Sequence, residues 1–196
     1  MLLVNKSLIA FVILLFILVL AWVGAKLADR TSSPKSALTA AKWALRFKHL
    51  ESYYDALTDE AVRQSLKNSI AICFSSGRPE LQQYGYNKSE GCELILERHG
   101  WVEPTEKTPE KFEAARDAAM EKIADPRKMA VELETNHRKH GAGTSFVWSY
   151  LEEVEIKSVS VSGSSAIAEV NWSGEPGKMT FEKDETGWRM HPFPDE

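Results

Sequence analysis

From Ser7 to Ala25 the chain carries no charge, and within that stretch Leu8 to Val23 reads LIAFVILLFILVLAWV. At about 1.5 Å per residue, a helix of this length comes close to spanning a hydrocarbon core of about 30 Å. The run is apolar on every side, which does not suit a helix half-covered by a soluble core. It also exceeds the apolar centre of a cleaved signal peptide, about 7 to 15 residues, and so reads as an uncleaved anchor. The sequence divides into a short tail at 1–6, a transmembrane anchor at 7–25, a linker at 26–33 and one domain at 34–196. Val23-Gly24-Ala25 keeps a cleaved signal open as the second reading. Orientation is contested by the charges: Lys26, Arg30 and Lys35 follow the run and only Lys6 precedes it, a count that favours a cytoplasmic domain. First apolar segments with short tails nevertheless commonly lead the following domain across. The expectation is therefore a single-pass membrane protein with an extracytoplasmic domain, periplasmic or extracellular.

Compartment decides how the two cysteines are read. Cys73 and Cys92 form no CxxC, and no His or acidic residue stands at zinc-finger spacing from either, so neither a metal nor thioredoxin-like chemistry is expected. Beyond a membrane, a disulfide between them would add about 3 kcal/mol by restricting the unfolded chain. Two reduced thiols are the alternative. A net charge of −4 argues against a nucleic-acid partner, which would require a basic face, and His137-Arg138-Lys139-His140 is too short to supply one.

Local signals organise the rest. Ser33-Pro34 is a cap followed by proline at the first helical position. After it Ala40, Trp43, Ala44, Phe47, Leu50, Tyr54 and Leu57 recur at spacings of three and four, one apolar stripe along a helix or a kinked pair. Thr58-Asp59-Glu60 restarts a helix reaching about Ser69. Residues 71–108 form an irregular excursion, with room for one short element at Glu93 to Glu97 and with Tyr84 and Tyr86 in a loop that suits a partner. Thr108-Pro109 and Asp125-Pro126 each open another helix, the second with Met129 and Leu133 inward and a basic C-terminus.

From Thr144 onward the period is two. Phe146, Trp148 and Tyr150 alternate, then Val154 and Ile156, then Val159 and Val161 after a phase slip that predicts a bulge in one long strand. Ser162-Gly163-Ser164, Gly174 to Gly177 and Asp184 to Gly187 turn the chain. The result is an antiparallel meander of about four strands whose apolar face needs the stripe from Ala40 to Leu57 as its cover, an α+β fold.

Residues 41–60 (AKWALRFKHLESYYDALTDE) and 159–193, with VSGSSAIAEV and the DETGWRM close, make the chain resemble the NTF2-like superfamily of cone-shaped α+β domains, especially its small membrane-anchored or lipoprotein-like bacterial members. Two features depart from that family: the excursion at 71–108 is long, and no lipobox cysteine stands near the anchor. The resemblance implies a curved sheet wrapped around helices. It also implies functions that range from ligand binding through secretion and assembly to isomerases and hydratases with Asp or His inside the cone.

No catalytic residue carries over. The inward positions, Trp43, Phe47, Tyr54, Trp148 and Trp172, are poor acids and bases at neutral pH, and they are ligand-pocket candidates only if the cone is open. His137 and His140 read as a solvated helix end, with no third ligand for a metal. Neither GxSxG, a phosphate-cradling loop nor GxGxxG occurs, and no cofactor is expected. The leading expectation is a non-catalytic envelope protein that binds an apolar ligand or a protein partner. The alternatives are a small isomerase or hydrolase, with His99, His191 or Asp55 deep in a cavity, and a subunit of an envelope secretion or assembly complex.

Overall fold

The computed structural model describes residues 32–73, 91–102, 105, 108–140 and 151–192, together with Leu14 and Leu18. No helix among the described residues is long and apolar enough to cross a membrane. The anchor expected at 7–25 lies outside them except for Leu14 and Leu18, both helical and exposed.

Three of the six described helices begin where cap and proline place them. Ser33 accepts a hydrogen bond from the backbone N–H of Ser36 at 3.1 Å, and Pro34 opens α1, Pro34–Arg46. Asp125 does the same for Lys128 at 3.0 Å ahead of α6, Pro126–Lys139. Thr108 precedes α5, Pro109–Met120, without a side-chain cap. Between them lie α2, Leu50–Asp55, α3, Asp59–Cys73, and α4, Cys92–Arg98. The expected stripe is broken between α1 and α2, where Lys48 takes a left-handed conformation at φ 61° and the N–H of His49 reaches the carbonyl of Ala44.

The sheet is an antiparallel meander in the order β1-β2-β3-β4, with β1 Val154–Ser162, β2 Ser165–Trp172, β3 Glu175–Asp184 and β4 Gly187–His191. The phase slip is real: the register shifts between Ile156 and Ser158. Leu151 and Glu152 are helical, so the strand starts at Val154 and not at Thr144; residues 144–150, with Phe146, Trp148 and Tyr150, lie outside the described residues. The second turn also differs from expectation. It sits at Ser173 and Gly174, both at positive φ, which suits the twist of a two-residue hairpin loop, and Gly177 belongs to β3.

One face of the sheet buries Ala166, Ala168, Val170, Trp172, Met179, Phe181, Trp188 and Met190 in the same core as the helices. The cover is the helical layer, but rotated from the expected stripe. On α1 the buried residues are Ala37, Leu38, Ala40, Ala41, Ala44 and Leu45, while Trp43 is half-buried and Phe47 is 54% exposed. Alanine brings the α1 backbone close to β4, and the two large aromatics fall to the side. A further link joins the layers: Leu57 forms a parallel bridge with Met190, adding a rung to the outer edge of β4.

Gly177 stands where the sheet accepts no side chain, because a Cβ there would overlap the indole edge of Trp172. Gly177→Ala is expected to cost about 1–3 kcal/mol by overpacking. Urea unfolding measures it, and an unchanged midpoint would show that the indole moves aside freely.

Candidate functional site

The four described ligand-pocket candidates do not line one cavity. Trp43 and Phe47 stack on each other at the C-terminal end of α1, with ring centroids 5.0 Å apart and planes 16° from parallel. Tyr54 is fully buried, its hydroxyl 3.2 Å from that of Ser65, and its ring meets Tyr53 edge-on at 5.1 Å. Trp172 is buried at the end of β2 against Gly177. Trp148 lies outside the described residues, as do Tyr84 and Tyr86.

Around the Trp43 and Phe47 stack the surface is shaped. Thr39, Lys42, Trp43, Arg46 and Glu152 line an open hollow of about 200 Å³. Its floor is pinned by Lys42, whose ammonium donates to the carbonyl of Val154 at 2.6 Å and to that of Glu152 at 3.1 Å. Burial lowers the pKa of this lysine, and the carboxylates of Glu155 and Glu152 offset part of the effect. A lysine held on backbone carbonyls is committed to structure, which leaves Arg46, Trp43 and Phe47 to meet a ligand.

A second hollow, of about 360 Å³, lies between the start of α3 and the turn from α5 to α6. Its charged groups serve each other. Arg127 donates to Asp59 at 2.7 Å and to the carbonyl of Leu57 at 3.1 Å, and Arg63 pairs with Glu121.

The chemistry-bearing side chains lie inside. Contrary to its expected place at a solvated helix end, His137 is fully buried, because α6 runs to Lys139 and position 137 continues the inward row of Met129 and Leu133. That four-residue spacing was the available signal. His137 Nε2 donates to the carbonyl of Ser69 at 2.9 Å, which leaves Nδ1 as the bare acceptor. Glu134, also fully buried, accepts from Arg138 at 3.3 Å one turn along. Burial raises the pKa of Tyr54, and the nearby Glu134 carboxylate adds to that, so its phenol stays neutral. Beside this seam Cys73 and Cys92 form a disulfide with Cα atoms 5.6 Å apart, tying the last residue of α3 to the first of α4 across 19 positions.

The remaining acid-base candidates line neither hollow. His99 Nε2 lies 3.3 Å from Glu132, which also takes the guanidinium of Arg98; His191 Nδ1 lies 3.3 Å from the Thr58 hydroxyl; Asp55 is exposed. No family model, curated protein or solved structure matches the chain.

Burial depresses the His137 pKa below its ordinary 6.5, against a smaller opposing pull from the Ser69 carbonyl. In the window beneath 6.5 the unfolded chain therefore binds a proton that the folded chain refuses. Stability is intact above that window and falls as pH drops through it, by at most about 1.4 kcal/mol per pH unit for one group. Urea titrations of the disulfide-bonded chain between about pH 7.5 and about pH 5.5 should show a steeper loss for wild type than for His137→Gln. Equal slopes would assign the pH dependence elsewhere.

Proposed function

We propose that the chain is a non-catalytic, membrane-tethered binding protein of the cell envelope, and that it grips a protein partner at the end of α1. The observation that carries the reading is the aromatic stack beside the Lys42 hollow, where half-buried Trp43 lines the hollow and Phe47 lies 54% exposed against it. A half-buried tryptophan stacked on an exposed phenylalanine beside an arginine has the composition of an interface hot spot. The hollow is smaller than the roughly 300–1,000 Å³ of small-molecule sites, which favours a protruding side chain of a partner over a free apolar ligand. Catalysis is the weaker reading because Glu134 and His137 have no exposed surface and could meet a substrate only if the helices parted.

The apolar leader supports the tether and the disulfide supports an oxidising compartment. Helices followed by a four-stranded antiparallel meander support the likeness to NTF2-like domains. A subunit role in an envelope assembly is the second reading, favoured by Val161 and Ile167, which stay 57% and 48% exposed on opposite faces near one end of the sheet.

A photo-reactive residue at position 47 is expected to capture a discrete envelope protein in living cells, whereas one at the exposed position 178 on β3 captures none. With that partner purified, Trp43→Ala should raise the Kd about tenfold or more. Equal capture from both positions, or an unchanged Kd, would place the interface elsewhere. A topology reporter after Glu196 should be active only outside the cytoplasm; cytoplasmic activity would overturn the envelope assignment.

A further inference from the structure

Three elements converge on the corner where α3 ends, α4 begins and α6 passes: Cys73, Cys92 and His137 are 2%, 0% and 0% exposed, and one ligand-type atom from each lies within 4.8 Å of the others. We propose that reduction of the Cys73–Cys92 disulfide turns this corner into a binding site for a thiophilic divalent cation of the zinc type. Tetrahedral zinc, with bonds of about 2.3 Å to sulfur and about 2.0–2.1 Å to nitrogen, holds its ligand atoms roughly 3.5–3.8 Å apart. The three atoms already lie within 4.8 Å of one another, and breaking the S–S bond lets the sulfurs separate toward that spacing by side-chain rotation.

The imidazole has one lone pair to spare. Its Nε2–H donates to the backbone carbonyl of Ser69 at 2.9 Å, while Nδ1 is buried with no hydrogen-bond partner. A metal-bound histidine almost always gives its other N–H to a carbonyl or carboxylate in this way, which fixes the ring and its tautomer. A buried lone pair with no donor is otherwise an unusual cost in a folded interior. Charge points to the same class of ion: two thiolates and a neutral imidazole carry −2, and a divalent cation makes the buried assembly neutral. In the oxidised chain the sulfurs are spent on each other, so the site exists only after reduction.

The chemistry balances. A trialkylphosphine attacks one sulfur and breaks the S–S bond; water supplies the oxygen of the phosphine oxide and the two protons of the thiols, the phosphine being oxidised by the two electrons the disulfide gains. Coordination of the divalent ion then releases both protons as the thiols become thiolates.

The test uses the full chain and Co²⁺, whose thiolate complexes absorb by sulfur-to-metal charge transfer. The phosphine-reduced chain should bind one Co²⁺ with that band and yield it to Zn²⁺. The disulfide-bonded chain and Cys73→Ser/Cys92→Ser should show none. His137→Gln should keep a thiolate band but bind about tenfold or more weakly. Oxidised and reduced samples share one sequence, so the main comparison does not depend on a variant folding. A reduced chain with no band, or one that unfolds, overturns the proposal, as does His137→Gln binding as tightly as wild type.

Discussion

The outer edge of β4 is where the helical half of the chain is locked to the sheet. The N–H of Met190 donates to the carbonyl of Ala56 at 2.9 Å, and the N–H of Thr58 donates to the carbonyl of Met190 at 3.0 Å. Leu57 and Met190 have no exposed surface, so water cannot replace these two bonds, and losing either would strand a buried polar group at about 1–3 kcal/mol. The rest follows from that crossing. Thr58, fixed at the sheet edge, turns its hydroxyl to accept from the N–H of Ala61 and so starts α3. Arg127, at the start of α6, donates to the carbonyls of Leu57 and Tyr54 and to Asp59, tying the end of α2 and the crossing to α6. Tyr54, just before the crossing, is thereby driven into the interior.

What the interior accepts there is partly polar, and the polar groups set the register of α3 against α6. Ser65 and Ser69 lie one turn apart on α3; Glu134, His137 and Arg138 face them from α6. Three contacts carry that register: the Tyr54 hydroxyl meets Ser65, the His137 N–H meets the Ser69 carbonyl, and the Glu134 carboxylate meets Arg138. Sliding α6 by one turn would leave His137 without Ser69, and a half-satisfied network in low dielectric is worse than an apolar one. The disulfide adds a second constraint on the same pair of helices. It closes the chain between residues 73 and 92 and stops the end of α3 from fraying away from α4, which itself packs on α6.

Features with a local cause were legible in the sequence. Ser33-Pro34 and Asp125-Pro126 announce their helices because cap and proline act within one turn, and the slip between Ile156 and Val159 announces the bulge because period two tolerates no other reading. Features with a non-local cause were not. Alanine is equally at home buried or exposed, so an alanine-rich helix does not say which way it faces, and Trp43 and Phe47 were assigned to the core when Ala37, Ala41 and Ala44 occupy it. The bridge from Leu57 to Met190 spans most of the domain and leaves no local signature. His137 was hidden by its company: Lys139 and His140 after it are exposed at the helix end, and it belongs to the row behind them. The site suffered more than the fold, because the aromatic candidates were right in kind for packing and only two of them came together.

A single stacked pair beside a shallow hollow would make a weak site in free solution, where association must overcome several kcal/mol of lost translational and rotational freedom. A tether changes that balance. Under the proposed arrangement, the linker at 26–33 has a reach of at most about 28 Å, so α1 stays within a thin layer at the bilayer surface. A partner held in the same layer then meets Trp43 and Phe47 at an effective concentration in the millimolar range for a short flexible link, without any added contact. A small exposed aromatic surface is also what a chain at a lipid boundary can carry without inviting aggregation. Under the proposed function, anchor and modest interface would be physically complementary: the membrane would supply the proximity, and the aromatic pair would need to supply only the choice of partner.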